Sequence, residues 1–477
     1  MAGFSYQTVW RLAGPNIVSN ILMVSISFAH LWIVAPLGQE MSAAVVAGGR
    51  VHFLLMAAAM ALSVATTAVV ARAWGADDTN EASASTASSL ALAVMISIVL
   101  GTATYFAAPY LVRMFSLDGL TASLAVDYIQ PAALLNMVFA LMLTIATAFR
   151  AIGDVIRPLR YIAVGAGAAI LFSYALVRGA FGAPEIGIAG IPWGTAAGQA
   201  LIVLWFMMNW LRGKYVFRPH ISGALERQRI GQLVKIGAPA AIEQVLIQMS
   251  FLLFMMLISG YGTAAFAAYG IGITILSITI VVGLGFGTAS ATLSGQLIGA
   301  EKHDEAVASG WAAMRLAMVG MCGLAFITYA FKTPLANILS ADPVVRADTE
   351  YFILILALIQ PLMAIEFAIG GALRGAGDTR YPLFVTFCGM IVGRLSVGFM
   401  VQALGGPVEA MYAVIIGDYA IKAALLVLRF RKIDWREMEL HPHAPIALQS
   451  VAGISRGPVR SFFGRRLNQS GSEENQP

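Results

Sequence analysis

Twelve runs of mostly apolar residues, each long enough to cross a bilayer as a helix, dominate this 477-residue chain. They fall near 15–37, 44–71, 87–108, 128–148, 161–179 and 190–210, then near 238–259, 265–297, 311–331, 351–372, 383–403 and 409–428. A hydrocarbon core about 30 Å thick takes about 20 helical residues, and lipid tolerates only segments that pair their own backbone groups. The runs are continuous, whereas barrel strands alternate apolar and polar residues over about ten positions. The expected fold class is therefore all-α integral membrane. Only 12% of residues are charged, against about a quarter in soluble domains, which argues against a soluble enzyme or a nucleic-acid partner.

Lysine and arginine set the expected orientation. The segment from Arg212 to Lys235 holds six and the stretch after residue 428 holds eight; segments on that side total 22, against four (Arg113, Arg178, Lys332, Arg346) on the other. Positive loops stay in the cytoplasm. Both termini are expected there, in a plasma membrane, or the inner membrane of a Gram-negative source. The net charge of +5 then reflects topology. No basic segment, short apolar run and small-residue cleavage site open the chain, so its first run is read as a span. Cys322 and Cys388 lie inside apolar runs and read as small core residues, without disulfide or metal.

A repeat organises the spans. At an offset of 224, Pro15 falls on Pro239, Gly38 on Gly262, Gly75 on Gly299 and Asp118 on Asp342. In RAIGDVIRPL, Arg150, Gly153, Asp154 and Pro158 fall on Arg374, Gly377, Asp378 and Pro382 of RGAGDTRYPL. Six is an even number of crossings, so the second half enters in the same orientation, and the pseudo-twofold axis runs along the membrane normal. The expected architecture is two homologous six-helix bundles, 1–210 and 238–430, joined by a cytoplasmic linker, 211–237, and followed by a polar, disordered tail, 431–477.

The ordered motifs LAGP in span one, VVARAWGADD after span two, RAIGD after span four, GAPAAIEQ opening span seven and GALRGAGDTRYP after span ten resemble those of the multidrug and toxic compound extrusion transporters. The resemblance covers roughly residues 10–430. It implies two bundles in a V around a central cavity, and export of organic cations or amphiphilic drugs from the cytoplasm in exchange for protons or sodium ions, by alternating access. Many members of that family carry an aspartate in span one; here, in AHLWIVAPLG, His30 takes its place.

Ionisable residues inside a span are costly unless paired or hydrated, so each is a candidate. Spans seven to twelve contain Glu243, Glu366, Arg394, Asp418 and Lys422, whereas the interiors of spans one to six contain no carboxylate. Glu243, with Gln244 and Gln248 beside it, forms a polar level whose repeat counterparts are Ser19 and Asn20. Glu366 is accompanied by Gln360, whose counterpart is Asn136. Glu243 and Glu366 each lie eight residues inside Lys235 and Arg374, about 12 Å at helical rise, so they are expected at equal depth and are the candidate ion-coupling and sodium ligands. The competing reading of Glu243 is a structural glutamate pairing an arginine. Arg394 stands 12 residues before residue 406 and Asp418 stands 12 after it, so an antiparallel pair of spans should hold them together, with Lys422 sharing the carboxylate. His30 reads either as a proton relay or as a neutral histidine bonded to a neighbouring helix. Tyr269 is the aromatic expected to line the cavity. Arg50, His52 and Arg315 read as snorkelling residues near span ends.

No phosphate-cradling G-x-x-x-x-G-K-[ST] occurs, so the energy source is expected to be a gradient. GISRG at 453–457 matches G-x-S-x-G, but in a polar tail without the strand-turn-helix setting a nucleophile needs. No enzyme activity and no cofactor are expected, only H+ or Na+ as coupling ion. The expected surroundings are lipid and small organic cations or amphiphiles, for a monomer. The alternative function is flipping of a lipid-linked saccharide or other amphiphile.

Overall fold

A computed structural model describes residues 5–114, 119–216 and 224–436. Twelve helices are long and apolar enough to cross a membrane. The first half holds α1 (Tyr6–Val34), α2 (Gln39–Gly75), α3 (Thr79–Met114), α4 (Gly119–Ala151), α5 (Ile156–Arg178) and α6 (Gly190–Leu211). The second holds α7 (Arg227–Ser259), α8 (Thr263–Gly299), α9 (His303–Ala330), α10 (Pro343–Gly375), α11 (Arg380–Ala403) and α12 (Val408–Lys432). A short helix, Lys332–Leu339, connects α9 to α10.

The duplication extends to backbone conformations. Gly38 and Gly262, which open α2 and α8, have φ of 118° and 104°, and Gly153 and Gly377 have 86° and 91°. These are left-handed values that a side chain resists. The next residue caps the following helix in both halves: Asp154 Oδ1 accepts from Arg157 N and Asp378 Oδ1 from Tyr381 N, each at 3.1 Å. The GD of the repeated motif thus makes the turn and satisfies one of the orphan N–H groups beyond it.

The halves meet on the side where α2 and α8 end and the linker runs. A Cβ on Gly75 would come within 1.9 Å of the Gln296 carbonyl oxygen, and one on its counterpart Gly299 within 2.0 Å of the Arg72 carbonyl oxygen. Two bare glycines let the helix ends cross backbone to backbone, twice, about the pseudo-twofold axis. Gly285 against Ile17 and Gly237 against Ala61 continue the seam. Arg229, at the start of α7, adds a bidentate pair to Glu81 on α3, 2.8 Å at its shortest, and pairs with Glu226.

Two expected boundaries move. α7 starts at Arg227, so the linker is shorter than 211–237, because a helix leaving the bilayer continues through charged turns. The expected tail begins later, since Trp435 is buried against Phe430 with ring centroids 4.9 Å apart. Asp118, residues 217–223 and the tail from 437, including GISRG, lie outside the described residues.

Candidate functional site

The second half carries two buried charge groups. In the first, Glu243 of α7 is 3% exposed. It accepts from Arg374 Nη2 of α10 at 2.6 Å and from the Thr386 hydroxyl of α11 at 3.0 Å. In the second, Arg394 Nη2 lies 2.5 Å from Asp418 Oδ2, Lys422 Nζ lies 3.2 Å from Asp418 Oδ1, and the same Nζ reaches Glu366 Oε1 at 3.4 Å. Two cations face two carboxylates there, so the cluster is neutral, the condition for keeping such groups out of water. The rings of Phe251, Phe254 and Tyr419 lie 5.1 to 5.8 Å from the Arg394 guanidinium, where their faces attract the cation.

Local sequence explains how α11 and α12 bring these charges together. Cβ atoms on Gly389 and Gly393 would fall 2.4 Å from Asp418 Oδ1 and 3.2 Å from Asp418 Cα, so only glycines admit α12 this closely. The segment Cys388–Ser396 is π-helical, which changes the direction of Arg394 relative to an α-helical register; π-bulges commonly mark such sites.

Two cavities lie near the halves' junction. The axial one, about 130 Å³, is walled by both halves. Its lining includes repeat counterparts: Thr67 and Ala291, Thr147 and Gly371, Arg150 and Arg374. Arg374 therefore belongs both to the Glu243 pair and to the wall between the halves. The second cavity, about 360 Å³, lies toward the opposite side and is lined by His30, Val45, Arg50, Phe53, Tyr128 and Gln248, among others. Such a volume suits a drug-sized ligand. Arg50 is its charged residue. It stands about three turns inside α2, not at a span end, because α2 begins at Gln39 and not near 44.

The other sequence candidates divide. His30 is buried in contact with α6: Thr195 Oγ1 donates to the Ile191 carbonyl at 2.8 Å, so His30 Nε2, 3.1 Å away, is the donor to Thr195. Its ring also reaches the outer cavity. Gln248 lines that cavity, whereas Gln244 lines neither. Asn20 Nδ2 donates to the Val281 carbonyl at 3.4 Å, joining α1 to α8 across the halves. Gln360 Nε2 donates to Thr279 at 3.2 Å inside the second half. Asn136 is buried in the first half beside Leu55, Ala59 and Ala93. Tyr269 does not line the cavity: it is 3% exposed and packs between Phe254 and Phe352, because its face of α8 turns into the second half's core. Glu243 and Glu366 are held by different cations, and among the described residues no three or more His, Cys, Asp or Glu side chains converge on a metal position.

Sequence reasoning passed over Arg150 and Arg50. The repeat contained the signal for the first, since Arg374 had a carboxylate partner whose counterpart is Ser19. Placing the start of α2 at Gly38, the left-handed residue shared with Gly262, would have exposed the second.

Twelve spanning helices in two duplicated halves, with paired charges buried in the second half and cavities at the junction, define a multi-pass membrane carrier. The family model MatE matches residues 15–175 and again 239–400. The chain belongs to that family, the multidrug and toxic compound extrusion transporters. The two matches start 224 residues apart, the offset of the repeat. A probable multidrug resistance protein NorM of Thermotoga maritima is 25% identical over 438 residues, which span 90% of this chain and 92% of that protein. The fold is shared with a MOP superfamily transporter from Pyrococcus furiosus, at TM-score 0.83 and 19% identity over 89% of this chain and 95% of that one. It is shared also with an outward-facing multidrug resistance MATE family transporter, at TM-score 0.82 and 18% identity over 90% and 97%.

Proposed function

We propose that this protein exports organic cations or amphiphilic drugs from the cytoplasm in exchange for H+ or Na+, with both termini cytoplasmic. The observation that carries the reading is the double place of Arg374, which neutralises Glu243 and walls the cavity between the halves. A proton or sodium ion arriving at Glu243 competes with Arg374 for the carboxylate. The released guanidinium then perturbs the seam that must part for the opposite side to open. Ion binding is thereby linked to the choice between two packed states, as a coupling free energy requires. Glu366, shared with Lys422, is the second carboxylate at which charge can be exchanged.

Drug-like substrates are supported by the similarity to the probable multidrug resistance protein of Thermotoga maritima, and by the volume and aromatic lining of the outer cavity. Flipping of a lipid-linked saccharide or other amphiphile is the second reading; Arg50 in that cavity favours it, since a guanidinium suits a phosphate. Proteoliposomes with separately imposed proton and sodium gradients test the first reading. Efflux of a cationic dye should follow one gradient and stop when it is collapsed. Dye movement indifferent to both gradients overturns ion coupling.

A further inference from the structure

Arg150 is the guanidinium that the mechanism above leaves unused. It is buried to about nine-tenths, it lines the axial cavity, and its Nε has no hydrogen-bond partner. No ion pair is formed by its side chain among the described residues. The repeat shows what is missing. Arg374 is answered by Glu243, while the position equivalent to Glu243 is Ser19, whose hydroxyl donates to the Pro15 carbonyl at 2.8 Å.

The charge balance of the cavity follows. Its lining contributes Arg150 from α4 and Arg374 from α10, and Glu243 on α7 cancels only the second. One positive charge remains in a buried space of about 130 Å³. The cavity hydroxyls carry no charge to neutralise it, and their protons are already given: Thr67 and Thr288 donate to the carbonyls of Ser63 and Leu284, at 2.9 Å each. Thr147 donates to the Leu143 carbonyl and lies 2.6 Å from the Ser63 hydroxyl. The unspent donors are those of Arg150. An uncompensated buried cation is unfavourable, and a guanidinium offers several donors to an anion placed in its plane.

We propose that the cavity on the pseudo-twofold axis binds one compact monovalent inorganic anion, of which chloride is the representative, on the guanidinium of Arg150. Because α2 and α4 wall the cavity from one half and α8 and α10 from the other, the anion favours the conformation in which the linker side is shut. The site shares a wall with Arg374, the partner of Glu243, but the anion is held on Arg150 and needs no substrate.

The test uses the purified full-length transporter in detergent. Its unfolding temperature is followed as chloride replaces gluconate, too large for the cavity, at constant ionic strength. Binding to the folded state alone raises stability with saturation, so the wild type should gain several degrees and then level off. Arg150→Gln should show no chloride dependence, while Arg160→Gln, an exposed arginine of the same side, should behave as wild type. In case Arg150→Gln does not fold, bromide-soaked crystals of the wild type give a second reading: an anomalous peak beside Arg150 is expected. A chloride response that persists in Arg150→Gln, or an axial cavity occupied by water alone in bromide, overturns the proposal.

Discussion

Arg374 holds Glu243 at 2.6 Å, whereas Arg150, its counterpart 224 positions earlier, forms no ion pair among the described residues. Duplication produced two equivalent arginines at the junction of the halves, and divergence left one carboxylate to serve them. The pair that is kept is asymmetric in a useful way: Glu243 is deeply buried, while the Arg374 side chain keeps 22% of its surface open. The carboxylate is fixed and the cation is the partner with room to leave.

Glu243→Gln should abolish gradient-driven dye efflux in proteoliposomes. It also leaves Arg374 without its counter-charge, and breaking a buried pair by removing one partner costs about 3 kcal/mol or more. Stability and transport must therefore be separated. The double variant Glu243→Gln with Arg374→Gln should recover most of the lost unfolding temperature, since neither charge remains, yet stay inactive. Wild-type efflux in either well-folded variant would make Glu243 a purely structural group.

The second cluster is expected to be structural first. Removing Arg394 leaves Asp418 and Glu366 sharing Lys422, one negative charge in excess. Arg394→Ala should destabilise the protein by about 3–5 kcal/mol, and Arg394→Ala with Asp418→Ala should be less damaging than the single change, because Lys422 and Glu366 still balance. Thermal unfolding in detergent of the wild type, Arg394→Ala, Asp418→Ala and the double variant measures this. A double variant as unstable as the sum of its parts would mean that the two residues do not act as a pair.

Much of this arrangement was legible in sequence because helix and bilayer geometry convert spacing into position. Equal distances from the turn at residue 406 placed Arg394 beside Asp418, and a constant offset placed the two RxxGD turns in equivalent roles. Direction around a helix axis was less legible. Tyr269 lies at a suitable depth but turns into the second half's core, since Phe254 and Phe352 bury its ring, and an apolar helix in lipid has no polar face to reveal that rotation. Arg50 reads as a snorkelling residue when span two starts near 44, but the helix starts at Gln39 and the outer cavity takes the side chain. The expected depths of Glu243 and Arg374 differ by eight residues, and the arginine and glutamate side chains meet by both reaching along the membrane normal.

The crossing of α2 and α8 should be intolerant of any side chain. Gly75→Ala and Gly299→Ala each place a methyl carbon about 2 Å from a backbone oxygen of the opposite half, a contact that must push the helix ends apart. Overpacking of this kind costs about 1–3 kcal/mol, charged here against the closed state of the linker side. Both variants should raise the labelling rate of a cysteine introduced at Thr67, in the axial cavity, and raise it to a similar degree because the contacts are related by the pseudo-twofold axis. Gly270→Ala, which meets nothing within 4 Å, is the control. Unchanged labelling in both crossing variants would show that the seam absorbs the methyl group without opening.

Arg50 should select among substrates. It lines the outer cavity together with Phe53 and Tyr128, so a ligand there meets aromatic surface and one positive charge. On α4 the nearest carboxylate in sequence to that lining is Asp127, which is exposed and forms no ion pair with Arg50. A cationic drug therefore enters against the Arg50 charge and gains from the rings, while an acidic or zwitterionic amphiphile gains from both. Arg50→Gln removes the charge and keeps a polar side chain. Efflux of an acidic dye should fall about tenfold, the equivalent of about 1.4 kcal/mol, while efflux of a cationic dye of similar size holds steady or rises. Because Arg50 is exposed, its loss should leave the unfolding temperature within about 0.5 kcal/mol of wild type, so a change in dye preference is separable from damage to the fold. Equal loss of both dyes, with unchanged stability, would remove Arg50 from substrate selection and leave the aromatic lining as the determinant.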